Sequence, residues 1–385
     1  MPENVVVLGA GYAGAGTIKK LQSELDDDAR ITWVSETDYH LVLHESHRVI
    51  RDPGVRSDIT VPVHDIADPS TRFVQDTVTG LDTDDQVVSL AEGEDVDYDY
   101  VLVGLGSQTA YYGIPGLEEH SLTLKSLEDA LEIHDAIDAA SREATRGEPA
   151  QVVVGGAGLS GIQSAGEIAE FRDANRAPID VHLVEALEEI FPGNDPEIQR
   201  ELRSLLEEAG VRIHTDDPIT EAEDGTIHFD EGEPLDYDVF VWTGGITGQD
   251  AMESADLENE HNRVTTEANF RTSDDRVFAI GDSAIVDQGD VPAPPTAQAA
   301  WQAAEVAGEN IARAIENRPL LTWEYDDKGT VVSVGEKAVA HEVSMYPFGD
   351  TFGGFPAKNL KKLIAARWIA DLTSWNRART AWSSL

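Results

Sequence analysis

The 385-residue sequence contains no cysteine. That absence excludes a redox disulfide, a thiolate nucleophile and a thiolate-held metal. Basic residues are scarce as well: 28 Lys and Arg stand against 73 Asp and Glu, for a net charge of −45. Such a field excludes a nucleic-acid binder, which needs a basic footprint. Long apolar runs are also missing. No stretch reaches the roughly 18 uncharged apolar residues of a membrane-spanning helix, and the N-terminus enters a strand with no visible signal peptide. Disorder, the other reading of high net charge, conflicts with the 41% hydrophobic content, which stays periodic almost to the end.

The acids are spread over nearly every turn, a pattern suited to a protein kept soluble in concentrated salt, where screening relieves carboxylate repulsion. One segment departs from it. Residues 356–385 hold Lys358, Lys361, Lys362, Arg367, Arg377 and Arg379 against Asp371 alone, a charge of +5 that leaves −50 on the rest. Trp368, Trp375 and Trp382 recur there every seven residues, with Leu363, Ile364, Ile369 and Leu372 between them. A basic, Trp-bearing helix of this kind predicts an interfacial membrane anchor. A C-terminal helix docked on the core, or a dimer contact, would carry the same pattern.

The chain also repeats itself. VVVLGAGYAG at residues 5–14 returns as VVVGGAGLSG at 152–161, and DYDYVLVGLGS from Asp97 returns as DYDVFVWTGG from Asp236. The offsets, 147 and 139 residues, point to a duplicated unit. Strands alternating with helices imply an α/β chain with parallel sheets covered on both faces. Helices are expected from Gly14 to about Leu25 (before the acidic turn Asp26–Asp28), from Gly161 to Phe171, from Pro196 to Ala209 and, Ala-rich, from Thr296 to Glu316; strands are expected at Ile31–Val34, Val181–Val184 and Val277–Ile280.

Gly9-x-Gly11-x-x-Gly14 sits between a strand and a helix, where a dinucleotide-binding loop belongs. The first glycine permits the tight turn, the second lets backbone approach a pyrophosphate, and the third lets helix and strand pack closely. Gly156-x-Gly158-x-x-Gly161 repeats the arrangement. Two such loops in one chain suggest a flavin and a nicotinamide exchanging electrons. Glu185 ends the second strand of the second unit, 24 residues past Gly161, where an acid accepts from a ribose 2′-hydroxyl and favours NAD over NADP. In the first unit the matching tip reads Val34-Ser35-Glu36, so its acid, Glu36, stands one residue late. Gly281-Asp282 ends a hydrophobic strand, which puts the carboxylate at the ligand-facing edge of the sheet. His40, His44 and His47 have helical i, i+4, i+7 spacing that suggests a metal, but packing or contacts with the flavin edge fit the surrounding residues better, and no metal site is expected.

These residues resemble the two-dinucleotide-binding-domain flavoproteins, and more closely the type II NADH dehydrogenases, single-subunit FAD-dependent NADH:quinone oxidoreductases. The likeness spans nearly the whole chain: VVVLGAGYAG, DYH at Asp38–His40, GLGSQTAYYGIPGLEEHSLTLKSLEDA from Gly104, GGAGLSGIQSAGE from Gly155, VWTGGITG, FAIGD and PPTAQAAWQ from Pro294. The resemblance implies two Rossmann-like domains: a discontinuous FAD domain (1–112 and 262–325) and an NADH domain (113–261), followed by a C-terminal membrane-facing region (326–385). By the same resemblance Gly9, Gly11, Gly14, Glu36, Gly106 and Asp282 would contact FAD, and Gly156, Gly158, Gly161 and Glu185 would contact NADH. Ala297, Gln298 and Gln302 would lie beside the flavin where a lipid-soluble quinone docks. The implied enzyme passes hydride from NADH to flavin and two electrons to quinone without pumping protons, from the cytoplasmic side of the membrane as a peripheral protein of a respiratory chain; a homodimer stays open. One departure concerns the proton: the family usually places Glu where this chain has Gln163, which cannot exchange protons at ordinary pH, and Glu167, one turn on, is the substitute. The missing cysteines separate the chain from disulfide reductases and sulfide:quinone oxidoreductases. Two rival readings share the architecture, a soluble NADH-dependent reductase of a small redox protein and a noncatalytic NADH-sensing flavoprotein.

Overall fold

Val5, Val6, Val7 and Leu8 are all fully buried, as a strand covered by helices on both faces must be. They form β1 (Glu3–Leu8) of a computed structural model that describes residues 2–25, 29–343 and 350–385. The expected acidic turn Asp26–Asp28 lies outside the described residues. Helix α1 (Tyr12–Glu24) leads to β2 (Ala29–Ser35), then α2 (His47–Arg51), β3 (Arg72–Gln75) and β4 (Tyr100–Val103). A short strand β5 (Gln108–Thr109) leaves this unit, and α3 (Leu127–Glu143) enters the second through a capping box on Ser126 and Asp129.

The second unit runs β6 (Ala150–Gly155), α4 (Leu159–Asn175), β7 (Ile179–Val184), α5 (Pro196–Glu208), β8 (Val211–His214) and β9 (Val239–Trp242). Strand β10 (Ile246–Thr247) pairs antiparallel with β5, and the chain returns to the first sheet as β11 (Val277–Ala279). The duplication read in the sequence is therefore spatial. The parallel sheets run β11-β4-β1-β2-β3 and β8-β7-β6-β9, so each glycine-bearing strand sits between its unit's second strand and the strand that follows the Asp-Tyr-Asp echo.

Thr296 caps α6 (Ala297–Ile315) by accepting from Ala299 N at 3.2 Å. This helix lies against α1 so closely that a Cβ on Gly16 would fall 2.7 Å from the Ala304 methyl; its run of alanines exists for that approach. A three-stranded antiparallel sheet follows, β12 (Thr330–Val334), β13 (Lys337–His341) and β14 (Thr351–Gly353), and then α7 (Gly354–Leu372) and α8 (Trp375–Ala381).

The tail corrects one expectation. Its three tryptophans do not share an outward face: Trp368 is 1% exposed, stacked on Tyr12 with ring centroids 4.8 Å apart, whereas Trp375 is 64% and Trp382 38% exposed. Ile369, Leu372 and Lys361 are buried as well. Helix α7 is thus docked on the core, because the apolar demand of its inner side is met by α1 and the antiparallel sheet. It still leaves Phe355, Leu363 and Ile364 uncovered. Among the described residues no helix is long and apolar enough to cross a membrane.

Candidate functional site

Both glycine turns use their three glycines alike. Gly9 (φ +95°) and Gly156 (φ +88°) take the left-handed backbone that turns strand into helix, and a Cβ on either would strike neighbouring backbone: Gly104 O at 2.4 Å, Gly244 Cα at 2.6 Å. The third glycines give helix–strand contact, since a Cβ on Gly14 would lie 1.9 Å from Gly9 O and one on Gly161 1.8 Å from Gly156 O. The middle glycines, Gly11 and Gly158, face open space, with nothing within 4 Å of a Cβ. Each is also the N-cap of its helix, without a side-chain cap and without an acid in the first turn. Two helix starts with unclaimed N–H groups, each fronted by space, fit two pyrophosphates.

The strand registers settle the two acids. Leu8 pairs with Val34 and Gly155 with Val184, so Ser35 is the spatial counterpart of Glu185, and Glu36 is displaced by one residue as the sequence indicated. Glu185 is buried under its turn, accepting from Ala157 N at 2.8 Å and Leu187 N at 3.1 Å. Each of its oxygens keeps further acceptor capacity. Glu36 is exposed, and its backbone carbonyl accepts from Gln75 Nε2 at 3.2 Å.

At the end of β11, Asp282 Oδ2 accepts from Ser107 Oγ at 3.0 Å, and Lys125 Nζ donates to Ser107 Oγ at 3.1 Å. Ser283 Oγ clasps both the N–H and the carbonyl of Gly106, whose φ of +74° opens it to free space. Burial pushes the Lys125 ammonium below its usual value, against the pull of Asp282 and Asp129. Sequence reasoning missed Ser107, Lys125 and Ser283; only their convergence on Gly106 and Asp282, from three distant stretches, marks them.

Ala297 opens α6, and Gln298 and Gln302 are on it one turn apart. Both ends of both amides are engaged by the segment 325–329. Gln298 donates to Tyr325 Oη at 2.9 Å and accepts from Lys328 N at 2.8 Å; Gln302 donates to Asp326 O at 2.9 Å and accepts from Asp326 N at 3.2 Å. These side chains imitate a strand partner and strap that segment to the helix.

The densest chemistry lies where α2, α4, β12 and α7 meet. Glu45, His47, Arg48, Gln163, Glu167, Ser333 and Lys361 are all buried there. Ser333 Oγ is the hub, taking Lys361 Nζ at 2.6 Å and Gln163 Nε2 at 3.1 Å and lying 3.1 Å from His47 Nε2. A hydroxyl that accepts twice has its own proton left to give, so His47 accepts at Nε2 and is neutral; burial, then Lys361 and Arg48, hold its pKa well below the usual value. Burial pushes Glu45 up, but Lys361 (3.7 Å) and the Arg48 ion pair outweigh it and keep the carboxyl below its ordinary range. Burial lowers Lys361 to about 8, partly offset by Glu45.

Glu167 is the contrasting case. It is fully buried and neither oxygen has a hydrogen-bond partner among the described residues; Arg51 Nε lies 3.1 Å away without the alignment of a hydrogen bond. Burial raises its pKa to about 7 despite Arg51, Arg48 and Lys361. The structure therefore brings Gln163 and Glu167 into one cluster, the first as a hydrogen-bonding partner and the second as its titrating acid.

The three histidines do not form the helical set their spacing suggested. His40 is on a short strand (Tyr39–Leu41), His44 in a 3₁₀ turn and His47 on α2. His40 Nδ1 donates to Ala10 O at 2.7 Å while Nε2 accepts from Trp368 Nε1 at 2.8 Å, so its ring is neutral, in keeping with burial lowering its pKa to about 4. His44 is hydrogen-bonded to the Tyr12 hydroxyl. Among the described residues no three such side chains could hold a metal.

Residues 3–304 match the pyridine nucleotide-disulphide oxidoreductase family. A type II NADH:quinone oxidoreductase from Staphylococcus saprophyticus is 30% identical, over 96% of this chain and 96% of that protein. One from Staphylococcus aureus is 30% identical over 95% of each. The fold is similar to that of NDH2 from Plasmodium falciparum in complex with NADH (TM-score 0.85, 15% identity, 100% of this chain and 97% of that one). It is similar also to the sulfide:quinone oxidoreductase of Aquifex aeolicus (TM-score 0.80, 19% identity, 97% and 92%).

Proposed function

The chain belongs to the pyridine nucleotide-disulphide oxidoreductase family and, within it, to the type II NADH:quinone oxidoreductases, and from that premise we infer that it oxidises NADH and reduces a quinone through FAD. With no cysteine, the disulphide chemistry of the wider family has no place here. The observation that carries the reading is the pair of glycine turns, alike glycine for glycine, on two sheets joined through β5 and β10.

Bound FAD supplies the two-electron carrier between nucleotide and quinone. The chain's own residues hold and orient. Gly9, Gly11 and Gly14 form the turn for FAD, with Glu36 at its ribose end, and Gly106 and Asp282, with Ser107 and Lys125 behind them, meet the rest of the cofactor. Gly156, Gly158, Gly161 and Glu185 take NADH, and the buried carboxylate disfavours a 2′-phosphate. We place the divisions between FAD domain, NADH domain and C-terminal region at 112/113, 261/262 and 325/326. Quinone is assigned to the start of α6 by Ala297, with Gln298 and Gln302 fixing the segment that walls it.

Making quinol from quinone takes two protons, and NADH brings one hydrogen; the other comes from solvent. Glu167, titrating near neutrality and paired through Arg51 with the half-exposed Glu336, holds that proton in place of Gln163. The enzyme docks peripherally on the cytoplasmic face of the membrane through Phe355, Leu363, Ile364, Trp375 and Trp382, beside Arg367 and Arg379, and feeds a respiratory quinone pool in a salt-rich cell. The test is anaerobic: NADH added to the FAD-loaded protein should bleach the flavin band and a quinone should restore it. An unbleached band sinks the dehydrogenase reading, and bleaching without restoration sinks the acceptor.

A further inference from the structure

Tyr112 lies three residues beyond the β5–β10 crossing, between the two nucleotide sites. Its φ is +54°, and Gly113 follows at +67°. A bulky side chain adopts the left-handed region only where its surroundings hold it there, and such residues gather at functional sites. Burial does not account for it, because the side chain is 67% exposed. Instead the ring lies on bare backbone. Its hydroxyl donates to Gly244 O at 3.3 Å, and a Cβ on Gly245 would fall 1.8 Å from Tyr112 Oη and 2.7 Å from Cζ. Glycine at 245 is what admits the aromatic.

The neighbourhood gives this arrangement its meaning. Gly244 abuts Gly156, the first glycine of the NADH turn, at the carboxyl edge of β6 and β9, where a parallel sheet receives its ligand. In the other direction the chain runs back within six residues to Gly106 and Ser107, beside Asp282. Tyr112 thus stands on the backbone beside the second glycine turn, six residues along the chain from the Gly106–Asp282 end of the first site.

We propose that Tyr112 is the side chain against which the nicotinamide ring of the nucleotide packs, with the Gly244–Gly245 backbone as the floor of that subsite. The proposal rests on the NADH reading above and assigns it a residue that no glycine motif contains. An exposed phenol face suits a planar ring, and the cationic ring of NAD+ above all.

The test uses the FAD-loaded protein and isothermal titration with NAD+ and with ADP-ribose, which lacks only the nicotinamide. Tyr112→Ala should weaken NAD+ by about tenfold, the size of a good aromatic contact, and leave ADP-ribose unchanged. Tyr112→Phe, which keeps the ring, should hold NAD+ within about twofold of the parent. Unchanged affinity for both ligands in Tyr112→Ala overturns the contact, and an equal loss of both shows a merely structural role and overturns it too. If the parent protein binds neither ligand, the NADH reading itself fails, and that result is separable from any behaviour of the variants.

Discussion

Glu167 and Gln163 stand one turn apart on α4 in the same buried cluster, and burial separates their roles. Desolvation costs a buried carboxylate its charge unless donors replace water, and Glu167 has an arginine nearby but, among the described residues, no aligned donor. Gln163 escapes the problem by being neutral, which frees it to donate to Ser333. Substituting Glu167→Gln should remove an ionisation near pH 7 from the pH profile of quinone reduction while leaving NADH bleaching of the flavin intact. Stability gives an independent reading. Glu167 binds its proton more tightly folded than unfolded, so it costs nothing at low pH and destabilises progressively as pH rises from about 4.5 through 7. The variant should therefore gain thermal stability over the parent at pH 8 more than at pH 5; a constant difference across that range would rule out the raised pKa.

Helices α7 and α8 divide one tryptophan pattern between core and surface. Trp368 fills the space between Tyr12 and Trp301 and bonds His40, whose other nitrogen holds the first glycine turn at Ala10. Truncating it to Ala should cost about 3–5 kcal/mol by the usual scale for buried aromatics and loosen FAD as the turn loses its brace. Trp375 and Trp382 should behave oppositely. Replacing both by Ser should leave the melting temperature within a few degrees and abolish co-sedimentation with lipid vesicles; retention on vesicles would remove the membrane role from this face. Helix α6 carries a related lesson. Its glutamines entered through the family resemblance; that their amides clasp residues 325–329 follows from where the chain returns, some 25 residues later, which no local pattern encodes.

At the scale of the whole molecule, the charge decides behaviour in salt. Ion pairs are present, but 73 acids against 28 bases leave most carboxylates without a cation, so raising salt relieves more repulsion than it removes attraction. Going from about 0.1 M to about 1 M salt shortens the screening length from about 10 Å to about 3 Å. The melting temperature should rise over that range; a fall would mean that the ion pairs dominate and that the acidity serves some end other than salt tolerance. The positive tail shares in this only partly. Lys361, counted in the sequence as part of a basic surface, is buried, and its charge faces Glu45 and Ser333 instead of solvent.

Much of the fold and the glycine turns of the candidate site were legible because they are local. A β-branched run, a glycine turn and a small-residue helix start specify a strand–turn–helix from neighbouring residues alone, and the repeat of that unit announced two sheets. Gly281-Asp282 was legible for the same reason: a hydrophobic strand must end at an edge, and the edge of a parallel sheet is where ligands sit. What only the tertiary structure decided depends on residues hundreds of positions apart: the Glu45–His47–Gln163–Ser333–Lys361 cluster, Lys125 behind Asp282, Tyr112 on Gly245, and the division of one tryptophan pattern between core and surface. A side chain's charge state and exposure depend on which elements pack over it, and composition and spacing are silent on that. Lys361, which the sequence counts as surface charge, and His47 meet in the core at Ser333, while His40 is buried between Ala10 and Trp368 and His44 pairs with Tyr12.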